Sequence, residues 1–269
     1  MARKRTLPLQ QTDLAEFLAQ ESDFGFEMET LATLRSIGLS AEHAAVYADP
    51  ITGRLRAYDI RARWHGEGRS LRLAIECKHL RPNAPLLIHA TPRLQTEAYH
   101  TVVVRKRTGL LFQTPRPSAS VYAPGESVGR HTDQPSKEEG GDFRSSDAGT
   151  FDKWLQAVNG CRDLIKELLE APTLVSEASV VIPVLVVPKE TLWQVDYEES
   201  GSIRTQVRQV ERSTLILRHV WSVPWGLGPL NYDVSHLEIV TLPALAQRVK
   251  NLVNEGGAFA DAAAFIAAA

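Results

Sequence analysis

Apolar and polar positions along this chain repeat with two different periods, and the switches between them mark its elements. Over 12–38, "TDLAEFLAQESDFGFEMETLATLRSIG", apolar residues recur every three or four positions behind a Thr-Asp start. Gly38 stands where a helix C-terminus favours glycine, so the segment predicts helix. A period of two takes over in "HAAVYADPITGRLRAYDIRARW" (43–64), which reads as a β-hairpin turning at "DPITG". "SLRLAIECKHL" (70–80) is a third strand. Leu71, Leu73, Ile75 and Cys77 form its apolar face, while Arg72, Ala74, Glu76 and Lys78 share the other.

The rest of the chain continues in the same two periods. "TPRLQTEAYHTVVVRKR" (91–107) predicts a helix whose end is blurred by the β-prone "TVVV". Residues 114–150, rich in Pro, Gly, Ser and charge, predict a long mobile insert. "FDKWLQAVNGCRDLIKELLE" (151–170) is an amphipathic helix, and "ASVVIPVLVVP" (178–188) is an unbroken apolar run, the mark of a strand buried on both faces. "TLWQVDYE" and "STLILRHVW" add strands, "LPALAQRVKNLVNE" a closing helix, and the tail "AFADAAAFIAAA" reads as a frayed end. The fold class is therefore α/β: a mixed central β-sheet flanked by helices, in one domain over 1–269. Its C-terminal strands and helix (190–250) extend the core.

Composition narrows the function classes. At 269 residues, 43% hydrophobic and 23% charged, the chain has the make-up of a soluble globular protein. No window matches a membrane span. "MARKRTLPLQQTDLAEF" carries basic residues with no apolar stretch behind them, so no signal peptide is expected. Cys77 and Cys161 are the only cysteines, too few for a disulfide framework or a structural zinc site, and a reducing cytoplasm is the expected location. Walker spacing and the GxSxG elbow are both absent. The net charge of −2 hides an asymmetry: 54–116 holds 13 Lys or Arg against four acids, a local +9. Such a block suits a polyanion bound at one place, or else a face balanced by acids brought in from elsewhere.

Glu76 and Lys78, two apart on a strand, reach the same small volume. Asp59, in "AYDIRA", comes beside Glu76 if the hairpin and the third strand pair. Two carboxylates so placed raise one another's pKa unless a cation lies between them, and hard oxygen donors with few other anchors suit Mg²⁺. Lys78 beside it would act on a water or on transition-state charge. Glu27 shares a stripe with Leu31, Leu34 and Gly38, which makes it an acid on an inward face; Glu29 is its rival.

A helix acid, then Asp59 on one strand, then Glu76-Cys77-Lys78 on the next, resembles the PD-(D/E)xK superfamily, the restriction-endonuclease-like nucleases. The resemblance covers about 20–110 well and the strand near 179–188 more loosely; Tyr58 stands where many members have Pro. It implies that Asp59, Glu76 and the Cys77 backbone carbonyl hold Mg²⁺, with Mn²⁺ able to substitute, and that Lys78 acts on the attacking water. Glu27 would be the helix acid of Mrr-like members. "QTEAY", with Gln95 and Tyr99, resembles the QxxxY element of some recombination nucleases. Arg61, Arg63, His79, Arg81 and Gln95 would contact the nucleic acid.

The expected function is a metal-dependent nuclease acting on DNA, with RNA also open, in restriction, antiviral defence or repair, as a homodimer or a subunit of a larger complex. The alternative is a nucleic-acid-binding subunit whose nuclease fold stays inactive until a partner activates it.

Overall fold

Two short helices, α1 (Gln11–Gln20) and α2 (Phe24–Ser36), lead into a meander of three antiparallel neighbours: β1 (Ser40–Ala48), β2 (Leu55–Gly66) and β3 (Arg69–Cys77). The computed structural model describes residues 8–49, 53–107, 111–117, 121–146, 148–170, 176–225, 228–254 and 256–260. The tip of the expected "DPITG" turn and the end of the C-terminal tail lie outside these.

The middle of the chain departs from expectation. In place of a helix over 91–107 come β4 (Leu86–Pro92), a single 3₁₀ turn at Gln95–Glu97, and β5 (Tyr99–Arg105). Val102, Val103 and Val104 are all buried there, and β-branched side chains fit a packed sheet better than a helix surface. The polar stretch of 114–150 forms strands where its composition predicts a mobile insert. These are β6 (Leu111–Pro117), β7 (Ser127–Asp133) and a small hairpin, β8 (Pro135–Lys137) with β9 (Phe143–Ser145). β6 pairs with β5 alone, and an edge position tolerates its Pro115 and Pro117. β7 lies inside the sheet, between β4 and a later strand.

After helix α3 (Ala148–Glu170) come β10 (Glu177–Val187), β11 (Leu192–Asp196), β12 (Arg208–Gln209), β13 (Arg212–Trp225), β14 (Gly228–Thr241) and helix α4 (Leu242–Val253). They complete a mixed 12-stranded sheet in the order β1-β2-β3-β10-β14-β13-β7-β4-β11-β12, with β5 and β6 branching from β10. The α/β class stands, with β14 a strand that the sequence pattern did not single out.

β10 is the hinge of this layout. It runs parallel to β3 along one edge, while its other edge is shared by β5 at 177–179 and β14 at 184–187. In the gap, the Val181 N–H donates to the Tyr232 hydroxyl (2.9 Å), which in turn reaches the carbonyls of Val181 (3.1 Å) and Thr101 (3.2 Å). One buried hydroxyl thus stands in for a missing strand neighbour.

Packing follows the strand alternation. Leu71, Leu73, Ile75 and Cys77 join Phe26, Leu31 and Leu34 of α2 and Leu245, Val249 and Leu252 of α4 on one face. Ala74, on the other face, joins Cys161, Leu164, Ile165 and Leu168 of α3. Ala258 and Phe259 are buried, so the start of the tail packs rather than frays.

Candidate active site

β1 and β2 exchange faces part-way along, and Asp59 sits at the exchange. Ala41, Ile60 and Ala62 pack toward α2, whereas Ala45, Tyr47 and Tyr58 pack toward α3. The register keeps His43 opposite Ile60 and Ala45 opposite Tyr58, while Ala44 between them takes a positive φ of 55°. A non-glycine residue there is strained by roughly 1 kcal/mol, and such strain is tolerated only where surrounding contacts enforce it. The Asp59 carboxylate takes the Cys77 N–H on Oδ2 (2.8 Å), which fixes it against the end of β3.

The structure brings Asp59 and Glu76 together around one ammonium. Lys153, on α3, places its Nζ 2.9 Å from Asp59 Oδ2 and 3.1 Å from Glu76 Oε2. Glu76 is 0% exposed, and neither of its oxygens meets hydrogen-bond geometry with any described residue. Burial and then the adjacent Asp59 push its carboxyl up to about 9, against the opposing pull of Lys153. At neutral pH, without a further cation, Glu76 therefore holds a proton. For Lys153, burial works to lower the pKa, and the two carboxylates override it and raise it above the ordinary lysine value.

α3 delivers Lys153 by its periodicity. Lys153, Ala157, Gly160 and Leu164 share one stripe, and Ala157 and Leu164 are fully buried. A lysine on that stripe is a charge aimed at the sheet. The same rule that singles out Glu27 on α2 applies to it, and sequence reasoning passed it over.

The other expected residues are placed differently. Glu27 does face inward and Glu29 is exposed, but Glu27 pairs with His43 Nε2 (2.7 Å), on the α2 side of the sheet. Lys78 lies just past β3, and its Nζ is 3.4 Å from Asp23 Oδ2, whose Oδ1 takes the His79 N–H (2.9 Å). Among the described residues, Lys78 forms no ion pair with Asp59 or Glu76, and the ion-pair partner of Glu27 is His43. The His79 ring stacks on Phe26, and Arg81 pairs with Glu21. Gln95 is exposed on the 3₁₀ turn and Tyr99 lies on β5, so the QxxxY helix does not form.

The basic block is balanced largely from outside itself. Arg61, Arg63 and Arg72 converge on Glu167 of α3, Arg61 also meets Asp163, and Arg105 pairs with Glu177. Of the two readings of that block, the geometry at these residues matches the balanced face.

Among the described residues no cluster of three or more His, Cys, Asp or Glu side chains is arranged to hold a metal ion. A pair of carboxylates with no third acid beside them among the described residues suits an ion that keeps most of its own water, as Mg²⁺ does. Among the described residues no helix is long and apolar enough to cross a membrane. No protein-family model, curated protein or solved structure matches this chain, so the case for its chemistry rests on the residues described here.

Proposed function

We propose that this protein is a metal-dependent nuclease that hydrolyses phosphodiester bonds in nucleic acid, DNA foremost, using Mg²⁺ or Mn²⁺ held by Asp59, Glu76 and the Cys77 carbonyl. One observation carries the reading: two carboxyl groups, one of them wholly buried, converge on a single lysine ammonium at the end of a central strand. A buried carboxyl held well above the ordinary carboxylate range by its surroundings is the kind of perturbed acid that gathers at functional sites. Bound there, a divalent ion would stabilise charge on the phosphate and lower the pKa of a water. Asp59 and Glu76 offer hard oxygens, and Glu76 would hold such an ion as the deprotonated carboxylate. Lys153 supplies the positive charge that keeps the pair tolerable until then. Lys78, whose Nζ contacts Asp23 at 3.4 Å, is the lysine assigned to the attacking water. The setting proposed is cytoplasmic restriction, phage defence or repair, with the chain acting as a homodimer or within a larger complex.

The position of Lys153 favours one second reading. A lysine lodged between the carboxylates is what an inactive subunit would carry, binding nucleic acid and cutting only when a partner withdraws it.

The test is incubation of pure protein with plasmid, linear and single-stranded DNA and RNA, in Mg²⁺, Mn²⁺ or EDTA. Metal-dependent cleavage lost in Asp59→Asn supports the first reading. Binding without cleavage supports the second. Cleavage that persists in EDTA or in Asp59→Asn ends both.

A further inference from the structure

Three strands along the sheet from β3, a cavity of about 200 Å³ opens where β13 meets the ends of β7, β11 and β12. Three arginines line it: Arg93, Arg208 and Arg212, together with the polar residues Ser127, Ser213 and Thr214. Guanidinium groups repel when gathered, and burial with the neighbouring Arg212 works to lower the pKa of Arg93. Such a grouping persists only when it is braced.

The bracing here is thorough. Arg93, with its side chain 1% exposed, donates to Thr214 Oγ1 (2.7 Å), to the Ala123 carbonyl (2.8 Å) and to His236 Nε2 (3.2 Å). Burial, and then Arg93 itself, hold the His236 imidazole down to about 3, so that nitrogen is an acceptor at any ordinary pH. Glu238 grips Arg212 from beneath, and buried Asp196 holds Arg208 (2.7 Å). Ser213 and Gln194 tie the floor to Asp196.

Donors are left over. Among the described residues, Arg212 Nη1 and Arg208 Nε and Nη2 donate to nothing. The one carboxylate on the cavity wall, Glu126, is 53% exposed and touches Arg93 at 3.3 Å. It is the group best placed to swing aside for another anion.

We propose that this cavity is an oxyanion site that takes a phosphoryl group, either as free phosphate or at the end of a small phosphorylated ligand. Planar guanidinium forks match phosphoryl oxygens in pairs, and the Thr214 hydroxyl, which accepts from Arg93, keeps its own proton to add a neutral donor. The volume is below the roughly 300–1,000 Å³ of ordinary ligand pockets, which fits a single phosphoryl group better than a whole nucleotide. The site is independent of the nuclease reading, because it shares no residue with the Asp59–Glu76 pair.

Titration calorimetry at fixed ionic strength tests it, with inorganic phosphate in one arm and adenosine 5′-monophosphate in the other. Saturable phosphate binding is expected in the wild type, lost in Arg208→Gln and about tenfold tighter in Glu126→Gln, where the competing carboxylate is gone. Binding of the nucleotide with equal or greater affinity assigns the site to a phosphorylated ligand; binding of phosphate alone assigns it to the free ion. Because Glu126 is half exposed, its variant folds even if Arg208→Gln does not. No binding of either probe to wild type and Glu126→Gln, or an affinity unchanged in both variants, overturns the proposal.

Discussion

A Cβ added at Gly160 would stand 3.0 Å from Cδ1 of Tyr58 and 3.2 Å from the Cβ of Ala74, so α3 lies almost directly on β2 and β3 at that point. Lys153 is one heptad earlier on the same face of the helix, and its reach to Asp59 depends on this close approach. Gly160→Val is expected to lower stability by about 1–3 kcal/mol through overpacking and to lift the helix. Gly25→Ala, at an open position in α2, is the control and should add a few tenths to about 1 kcal/mol. Urea unfolding of both variants decides; equal stabilities would mean that the contact is slack.

The protonation of Glu76 sets a pH dependence. Its carboxyl is raised in the fold, so its contribution to stability is complete below about 4.5 and is lost as pH rises toward about 9. In EDTA, unfolding midpoints of the wild type should fall across that window, and Glu76→Gln should flatten the trend. Parallel curves for the two proteins would show that Glu76 does not hold the proton.

Lys153 and Lys78 separate by their response to metal. Lys153→Met removes the internal cation, so the metal-free protein should weaken while Mg²⁺ or Mn²⁺ raises its thermal midpoint more than in wild type. On the proposed nuclease reading, Lys78→Met should leave the metal response unchanged and lower the cleavage rate, because that reading gives it a charge in the chemical step and no metal to hold. A shift in metal response from Lys78→Met instead would exchange the two roles.

Glu167 gathers three arginines, so Glu167→Ala leaves them mutually repelling and should cost about 1–3 kcal/mol. The same change frees their charge. Affinity for DNA, measured by anisotropy across a salt series, should then rise with a steeper salt slope. An unchanged slope would place the nucleic acid on another surface.

The sequence pattern made β3 legible because its alternation is strict, and with it the meeting of Asp59 and Glu76, which needs only that β2 pair with β3. Lys153 was hidden by distance: 77 residues separate it from Glu76, and nothing local says which strand α3 will cover. Residues 99–105 are ambiguous in sequence because a short apolar run fits either period, and burial between β10 and β6 decides it. The strands of 111–145 have turn-like composition, and only their partners, β5 and β4 among them, make them strands. The face exchange at Ala44 leaves no mark that a single sequence reveals.

The parallel pairing of β3 with β10 has a consequence for the order in which the chain is made. Ser70 meets Ser179 across that ladder, hydroxyl to hydroxyl at 2.8 Å, so more than a hundred residues are synthesised before β3 gains its second neighbour. Until Val187 has emerged, a nascent chain already carries Asp59, Glu76 and Lys153, yet one edge of its central strand remains bare. The amino-terminal meander thus gains its second edge partner only once β10 has been made.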